Sequence, residues 1–215
     1  MRKRIADAVK YMDGRELNYG GVGSVSARVG ADRVLITPSG VVKSAMTPED
    51  IVLVNLEGEV LEGRHKPTPE VNLHLEIYRN YSHFNAVIHA HPVYASTLAV
   101  AWRPLPSLTE ELVLYTGGEV RVAKYAPFGT RELAEEVVEA LRDRSAALLA
   151  NRGVITCGRN LEEALEVLEV VERAAHIYIL AHITGWFSIP KKSLKKLQEL
   201  YRAKYSSISS SRSET

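Results

Sequence analysis

The sequence predicts an α/β fold in which helices flank a mixed, largely antiparallel sheet. Two observations carry this prediction: the first half of the chain contains two strand pairs joined by short turns, and helical patterns are interspersed with strands in the second half. Short turns join antiparallel strands, whereas parallel strands need a long crossover. A dinucleotide-binding βαβ fold is not expected, because GGVGS at residues 20–24 lacks the GxGxxG spacing and precedes a strand.

The first half begins with a helix followed by two hairpins. Residues 2–13 repeat apolar side chains at helical spacing, which predicts an amphipathic helix. Strand-like segments at 24–29 and 33–38 flank a GAD turn, and those at 51–55 and 58–63 flank LEGE. Each pair is therefore predicted to be a hairpin.

Helices and strands are interspersed in the rest of the chain. A helix is predicted at residues 69–81, because proline stands at its start and apolar residues recur at helical spacing. The later predicted elements are, in order, a strand at 85–91, a helix at 92–102, a strand at 120–125, a helix at 130–143, two short buried strands within 145–158, a helix at 161–183 and a basic helix at 191–205.

The composition indicates the class of protein. The 215 residues fit one domain, predicted at 1–205, and the serine-rich segment 206–215 is predicted to be a disordered tail. Apolar residues make up 46% and charged residues 25%, as in soluble globular proteins, and the net charge of +1 does not favour a nucleic-acid partner. We expect no membrane span. The single cysteine, Cys157, suits a cytoplasmic protein.

Two histidines stand one residue apart in VIHAHP, residues 87–92. Alternate side chains of a strand share a face, so His89 and His91 are expected to point the same way. Neutral imidazole is a common zinc ligand. The pair is interpreted as part of a metal site, with a pair of core histidines bonded to the backbone as the alternative.

Other candidate groups carry weaker signals when taken one at a time. Glu70 begins a predicted helix, where acidic residues are common for structural reasons. The short loops GGVGS, TPSG and KPTP could form an anion nest if they converge, although each is also a simple turn. His74 is interpreted as a surface histidine, Lys43 and His65 as solvated loop residues, and His176 and His182 as core or subunit-contact residues.

The order of these segments resembles that of the class II aldolase and adducin family. The resemblance runs from about residue 5 to residue 185 and rests on GxxSVSARV, LITPSG, the proline-rich loop with Glu70, VIHAHP, YAPFGTREL and LLANRGVI. It implies a three-layer αβα sandwich with a mostly antiparallel central sheet. It also implies a homotetramer with sites between subunits.

The resemblance further implies a sugar-phosphate aldolase. Such an enzyme cleaves a phosphorylated ketose, for example L-fuculose 1-phosphate, into dihydroxyacetone phosphate and an aldehyde through a metal-stabilised enediolate. By this resemblance Glu70 is the acid/base, and His89 and His91 bind Zn²⁺ or another divalent metal together with a third histidine. The substrate phosphate would lie against Gly23, Ser24, Ser39, Gly40 and Thr68.

Three departures from the family pattern bear on these expectations. Arg152 stands where the third zinc histidine belongs, and arginine has no lone pair to give a metal. Gly21 and Ser24 replace polar residues of the phosphate loop, and Thr68-Pro69 replaces a serine pair. Either His89, His91 and Glu70 still bind a metal weakly, or the metal is lost and Arg152 supplies a fixed positive charge in its place.

The departures leave four functions open. An aldolase is the principal hypothesis. A methylthioribulose-phosphate dehydratase-like enzyme would keep the glutamate, and Thr109-Glu110-Glu111 replaces an aldolase tyrosine. A pentulose-phosphate epimerase-like enzyme is disfavoured, because that group carries aspartate at the Glu70 position. A non-catalytic adducin-like protein is favoured by Arg152 and disfavoured by the retained Glu70, His89 and His91. Tyr201 and Tyr205 are interpreted as helix-surface or subunit-contact residues.

Overall fold

The protein is described by a computed structural model that covers residues 1–210, with side chains to residue 205. Eight strands form one sheet in the order β4-β3-β2-β1-β5-β8-β7-β6. All neighbours pair antiparallel except β6 and β7, which are parallel. The strands are β1 Ser24–Arg28, β2 Arg33–Ile36, β3 Val52–Asn55, β4 Val60–Glu62, β5 Ala86–Ala90, β6 Arg121–Ala123, β7 Ala146–Leu149 and β8 Gly153–Gly158.

Seven α-helices pack on the two faces of this sheet in the described part of the chain. They are α1 Arg2–Gly14, α2 Val71–Asn80, α3 Val93–Val100, α4 Glu110–Thr116, α5 Arg131–Leu141, α6 Leu161–Thr184 and α7 Lys191–Ser210. Two separate apolar cores result. One lies under α1, α3, α4 and α6, and the other lies under α2 and α5. The predicted three-layer αβα sandwich with a mixed, mostly antiparallel sheet is confirmed.

The structure adds one helix that the sequence patterns did not predict. Helix α4 is seven residues long, too short for a clear apolar period. Its ends do carry recognisable signals: the Thr109 hydroxyl accepts the N–H of Leu112, and Gly117 ends the helix in the left-handed region. The cap residues, rather than the helix interior, could have revealed it.

The structure changes the predictions made for the C-terminal part of the chain. Helix α7 continues to Ser210, so the first half of the predicted tail 206–215 is helical backbone, and residues 211–215 lie outside the described residues. Tyr201 is buried, and its hydroxyl and that of Tyr205 both bond the Ser145 hydroxyl, at 2.6 and 2.9 Å. The helix-surface interpretation of the two tyrosines is therefore wrong, and the alternative, a subunit contact, stays a prediction. No helix among the described residues is long and apolar enough to cross a membrane.

The central strands bring three distant segments to one end of the sheet. Because β1 and β8 both run antiparallel to β5, the start of β1, the end of β5 and the start of β8 coincide there. A glycine is required at this point, since a Cβ on Gly153 would lie 2.3 Å from the Ala90 carbonyl oxygen. This edge holds the candidate site.

Candidate active site

A cavity of about 320 Å³ opens at this end of the sheet. All three polar loops predicted from the sequence contribute to it, together with the end of β5 and the β7–β8 turn. The lining residues are Gly21, Val22, Gly23, Pro38, Ser39, Gly40, Lys43, Thr68, Pro69, Glu70, His89, His91, Phe128 and Arg152. The tertiary structure therefore brings together the groups that the sequence presented as separate and individually weak signals.

Glu70 lies at the centre of the site, immediately before α2. It is buried, and its two carboxylate oxygens contact different partners: the Arg152 guanidinium donates to Oε1, and His89 Nδ1 lies against Oε2. Burial alone would raise the pKa of Glu70, but the contact with His89 and the positive charge of Arg152 lower it to about 2. The carboxylate is thus ionised in this arrangement.

His89 and His91 share one side of β5 as predicted, with ring centroids 4.6 Å apart. His91 lies just past the strand end, and its backbone N–H donates to the side chain of Asn18 at 2.9 Å. Burial lowers the pKa of His91 to about 4, so this ring is neutral near pH 7. Both ring nitrogens of His89 are buried: Nδ1 lies against the Glu70 carboxylate, and Nε2 has no hydrogen-bond partner among the described residues.

His74 is buried, so its interpretation as a surface histidine is wrong. Its Nε2 bonds the Ser24 hydroxyl at 2.8 Å, and its Nδ1 bonds the Ser26 hydroxyl at 2.7 Å. Burial lowers its pKa to about 3. Because α2 lies against β1, a helix residue bonds two alternate strand residues, an arrangement that sequence spacing alone does not reveal.

The predicted phosphate-binding residues do not all present their polar groups to the cavity. Gly23, Ser39, Gly40 and Thr68 line it. Ser24 is buried behind them with its hydroxyl bonded to His74. Its side chain is therefore engaged in the core in this arrangement.

Lys43 and Phe128 line the cavity, and the sequence analysis assigned neither of them to the site. Lys43 is only 4% exposed, so its interpretation as a solvated loop residue is wrong. Phe128 is exposed, and the Arg152 guanidinium lies 5.8 Å from its ring centroid. His65, also expected to be solvated, bonds Asp50 at 2.9 Å outside the cavity.

The late histidines lie elsewhere. His176 stacks on Tyr94 with ring centroids 3.8 Å apart, and His182 Nδ1 bonds the Tyr178 carbonyl at 2.9 Å on its own helix. Neither lines the cavity.

The donor set can be tested against the divalent metal that the family resemblance implies. The buried Nε2 of His89, which has no hydrogen-bond partner among the described residues, favours a metal. Against it, the Arg152 guanidinium, which has no lone pair, contacts the one carboxylate of the site. Among the described residues no group of three or more His, Cys, Asp or Glu side chains is arranged to hold a metal. As arranged, these residues do not fit a resident metal.

Comparisons with known proteins agree with the fold and with the family resemblance. A family model described as the Class II Aldolase and Adducin N-terminal domain matches residues 3–179. A relative from Bacillus thuringiensis serovar kurstaki, named 5-deoxy-D-ribulose 1-phosphate aldolase, is 43% identical over 145 residues, which are 67% of this chain and 68% of the relative. A relative from Rhodospirillum rubrum, named 5-methylthioribulose-1-phosphate/5-deoxyribulose-1-phosphate aldolase, is 36% identical over 178 residues, 83% of this chain and 80% of the relative.

A solved structure named L-fuculose 1-phosphate aldolase superposes with a TM-score of 0.89 at 33% identity and covers 94% of this chain and 95% of its own. These likenesses confirm the resemblance inferred from the motifs and the predicted enzyme class, an aldolase (lyase), while metal dependence stays a prediction. The chain belongs to the class II aldolase and adducin family.

Proposed function

We propose that this protein cleaves a ketose 1-phosphate into dihydroxyacetone phosphate and an aldehyde. One observation carries the proposal: a single cavity gathers a buried carboxylate, two imidazoles, a guanidinium and three loops suited to an anion. The substrate class follows the names of the relatives, which share a ketose phosphorylated on carbon 1. L-fuculose 1-phosphate and 5-deoxyribulose 1-phosphate are the first candidates.

Glu70 is the proposed acid/base. When the bond between carbons 3 and 4 breaks, its electron pair passes to carbon 3 and the carbonyl oxygen on carbon 2, which forms an enediolate. The hydroxyl on carbon 4 loses a proton as that carbon becomes an aldehyde. Glu70, ionised because its pKa is lowered to about 2, accepts this proton and returns it to carbon 3, so that atoms and charges balance.

The remaining side chains stabilise charge and orient the substrate. Arg152 already contacts Glu70, so its guanidinium lies where it can donate to the enediolate oxygens beside that carboxylate. The neutral ring of His91 offers a hydrogen bond to a substrate hydroxyl. Zn²⁺ or another divalent metal at His89 and His91 stays a prediction, as does the homotetramer, and no step above depends on either.

Substitution of Glu70 tests this proposal. Glu70→Gln keeps the shape of the side chain but cannot carry the proton, so cleavage should fall by about 10²–10⁴-fold. Glu76→Gln, on the same helix and paired with Arg79, is the matched control and should retain the wild-type rate. The measurement is NADH-linked detection of dihydroxyacetone phosphate from a panel of ketose phosphates.

The assay also separates the alternatives. Wild-type activity in the Glu70→Gln variant would contradict the acid/base role. A wild-type protein that cleaves no member of the panel, with and without added Zn²⁺, would contradict the aldolase proposal. NMR of the products then distinguishes aldehyde release from the loss of water expected of a dehydratase.

A further inference from the structure

A buried lysine faces the candidate cavity without an ion-pair partner. Lys43 begins a 3-10 turn, Lys43–Ala45, three residues after Gly40, and it is 4% exposed. In the described part of the chain its ammonium makes no hydrogen bond and has no carboxylate within salt-bridge distance. The ammonium lines the cavity, and a cation held there without a carboxylate partner is suited to pair with an anion bound in the cavity.

The carboxylate of Glu70 is not the partner of Lys43. The negative charge of Glu70 raises the pKa of Lys43 without direct contact, because the two oxygens of Glu70 already contact His89 and Arg152. Burial is the larger influence on Lys43 and lowers its pKa to about 8. Of the two cations that line the cavity, Arg152 is therefore paired and Lys43 is available to a ligand.

The donors that the polar loops next to Lys43 present to the cavity are neutral, and some of them are already used. The N–H of Ser39 donates to the Lys66 carbonyl at 2.9 Å, and the N–H of Thr68 donates to the Thr37 carbonyl at 3.1 Å. The Ser24 hydroxyl is bonded to His74. Among the described residues the N–H groups of Gly23 and Gly40 make no such backbone bond, so these loops can donate hydrogen bonds to a phosphate dianion, but they bring no positive charge to balance it.

We infer that Lys43 binds the phosphate group of the substrate and supplies the charge that these loops lack. Lysine binds phosphate as a point charge, which suits a buried side chain that reaches a loop-lined cavity. The inference rests on the proposed function for the class of substrate. It assigns the phosphate to the Lys43 side of the cavity and leaves Arg152, with Glu70, to the carbons where bonds change.

Phosphate binding by the whole protein tests this inference without reference to turnover. Isothermal titration calorimetry would follow inorganic phosphate binding to the wild type, Lys43→Met, Lys43→Arg and Lys10→Met. We expect Lys43→Met to weaken binding by more than ~10-fold, because the unpaired cation is removed, and Lys43→Arg to restore most of it. Lys10→Met removes an exposed lysine of α1, away from the cavity, with the same change in net charge and should change the affinity less than ~2-fold.

Chemical denaturation of each variant shows whether it is folded. Methionine is apolar and of similar length, so Lys43→Met should be at least as stable as the wild type. If Lys43→Met is unfolded, phosphate binding is compared between Lys43→Arg, which keeps the charge, and Lys43→Gln, which lacks it. Equal affinity in the wild type and a folded Lys43 variant without the charge, or an equal loss in Lys10→Met, would overturn the inference.

The kinetic assay supplies a second readout. Lys43→Met should raise KM for the ketose phosphate more than it lowers kcat, because the phosphate is bound equally in the ground state and the transition state. A loss confined to kcat would overturn the inference. If the wild type binds phosphate through Lys43 and yet cleaves no ketose phosphate, the proposed function fails while the binding site stands.

Discussion

The buried histidines His74 and His89 both lie next to Ser24, but their ring nitrogens have different partners. His74, on α2, has both ring nitrogens bonded to serine hydroxyls, whereas His89, paired with Ser24 across β1 and β5, has its Nδ1 against the Glu70 carboxylate and its Nε2 without a hydrogen bond among the described residues. Both are almost fully buried and both lie near Glu70. Residue type and burial are therefore poor guides to role, and satisfaction of the polar atoms separates a structural histidine from one that is available to a ligand.

Arg152→His gives the largest expected effect, because it would provide His89 and His91 with a third imidazole. Three imidazoles are a complete protein ligand set for zinc, so the variant should retain about one equivalent of zinc after dialysis and the wild type far less. Arg103→His, at an exposed arginine, is the matched control and should resemble the wild type. The measurement is metal content by mass spectrometry.

Equal zinc content in the wild type and Arg152→His would show that Arg152 does not disrupt the metal site. In that case His89 and His91 already bind zinc in the wild type. The interpretation that His89, His91 and Glu70 bind a metal would then replace the one in which Arg152 supplies a positive charge in place of the metal.

Replacing each histidine by leucine should affect stability unequally. His74→Leu leaves the Ser24 hydroxyl without its partner, which should lower the free energy of unfolding by about 1–3 kcal/mol. His89→Leu removes an Nε2 that has no hydrogen bond, and although it also removes the Nδ1 contact with Glu70, that carboxylate keeps its ion pair with Arg152, so the same free energy should change by less than about 1 kcal/mol. Urea denaturation of both variants measures the difference. A larger loss for His89→Leu would contradict the contrast between the two sites.

The smallest expected effect is on the pH dependence of stability. His74 has its pKa lowered to about 3 in the folded state by burial, and an unfolded histidine titrates near pH ~6.5. Between these values the unfolded chain binds a proton that the folded chain does not. The contribution of His74 is therefore fully present above pH ~6.5 and is lost as the pH falls towards 3.

A comparison with His74→Leu isolates this contribution. The stability difference between the wild type and the variant should shrink by about 1 kcal/mol between pH 7 and pH 5.5, because leucine has no proton to gain. His91, whose pKa is also lowered, is present in both proteins and cancels. A difference that does not change with pH would contradict the assignment of His74 as a neutral buried group.

Much of the fold was predictable because its signals are local. The period of apolar residues gave the strands and the longer helices to within a few residues, and short turns gave the antiparallel pairing. Helix α4 was not predicted, because seven residues show too little periodicity. His74 was assigned to the surface because its partners, Ser24 and Ser26, lie on a strand about 50 residues earlier in the chain.

The sequence by itself determined the αβα architecture and the chemical groups available to the site: Glu70, the histidine pair and an arginine where a third imidazole was expected. These depend on residue type and on spacing along the chain. Only the tertiary structure decided that Arg152 contacts Glu70, that Ser24 bonds His74 and that Lys43 lies buried at the cavity wall. Such contacts join segments separated by tens of residues, and the antiparallel pairing of β1, β5 and β8 brings those segments to one edge of the sheet.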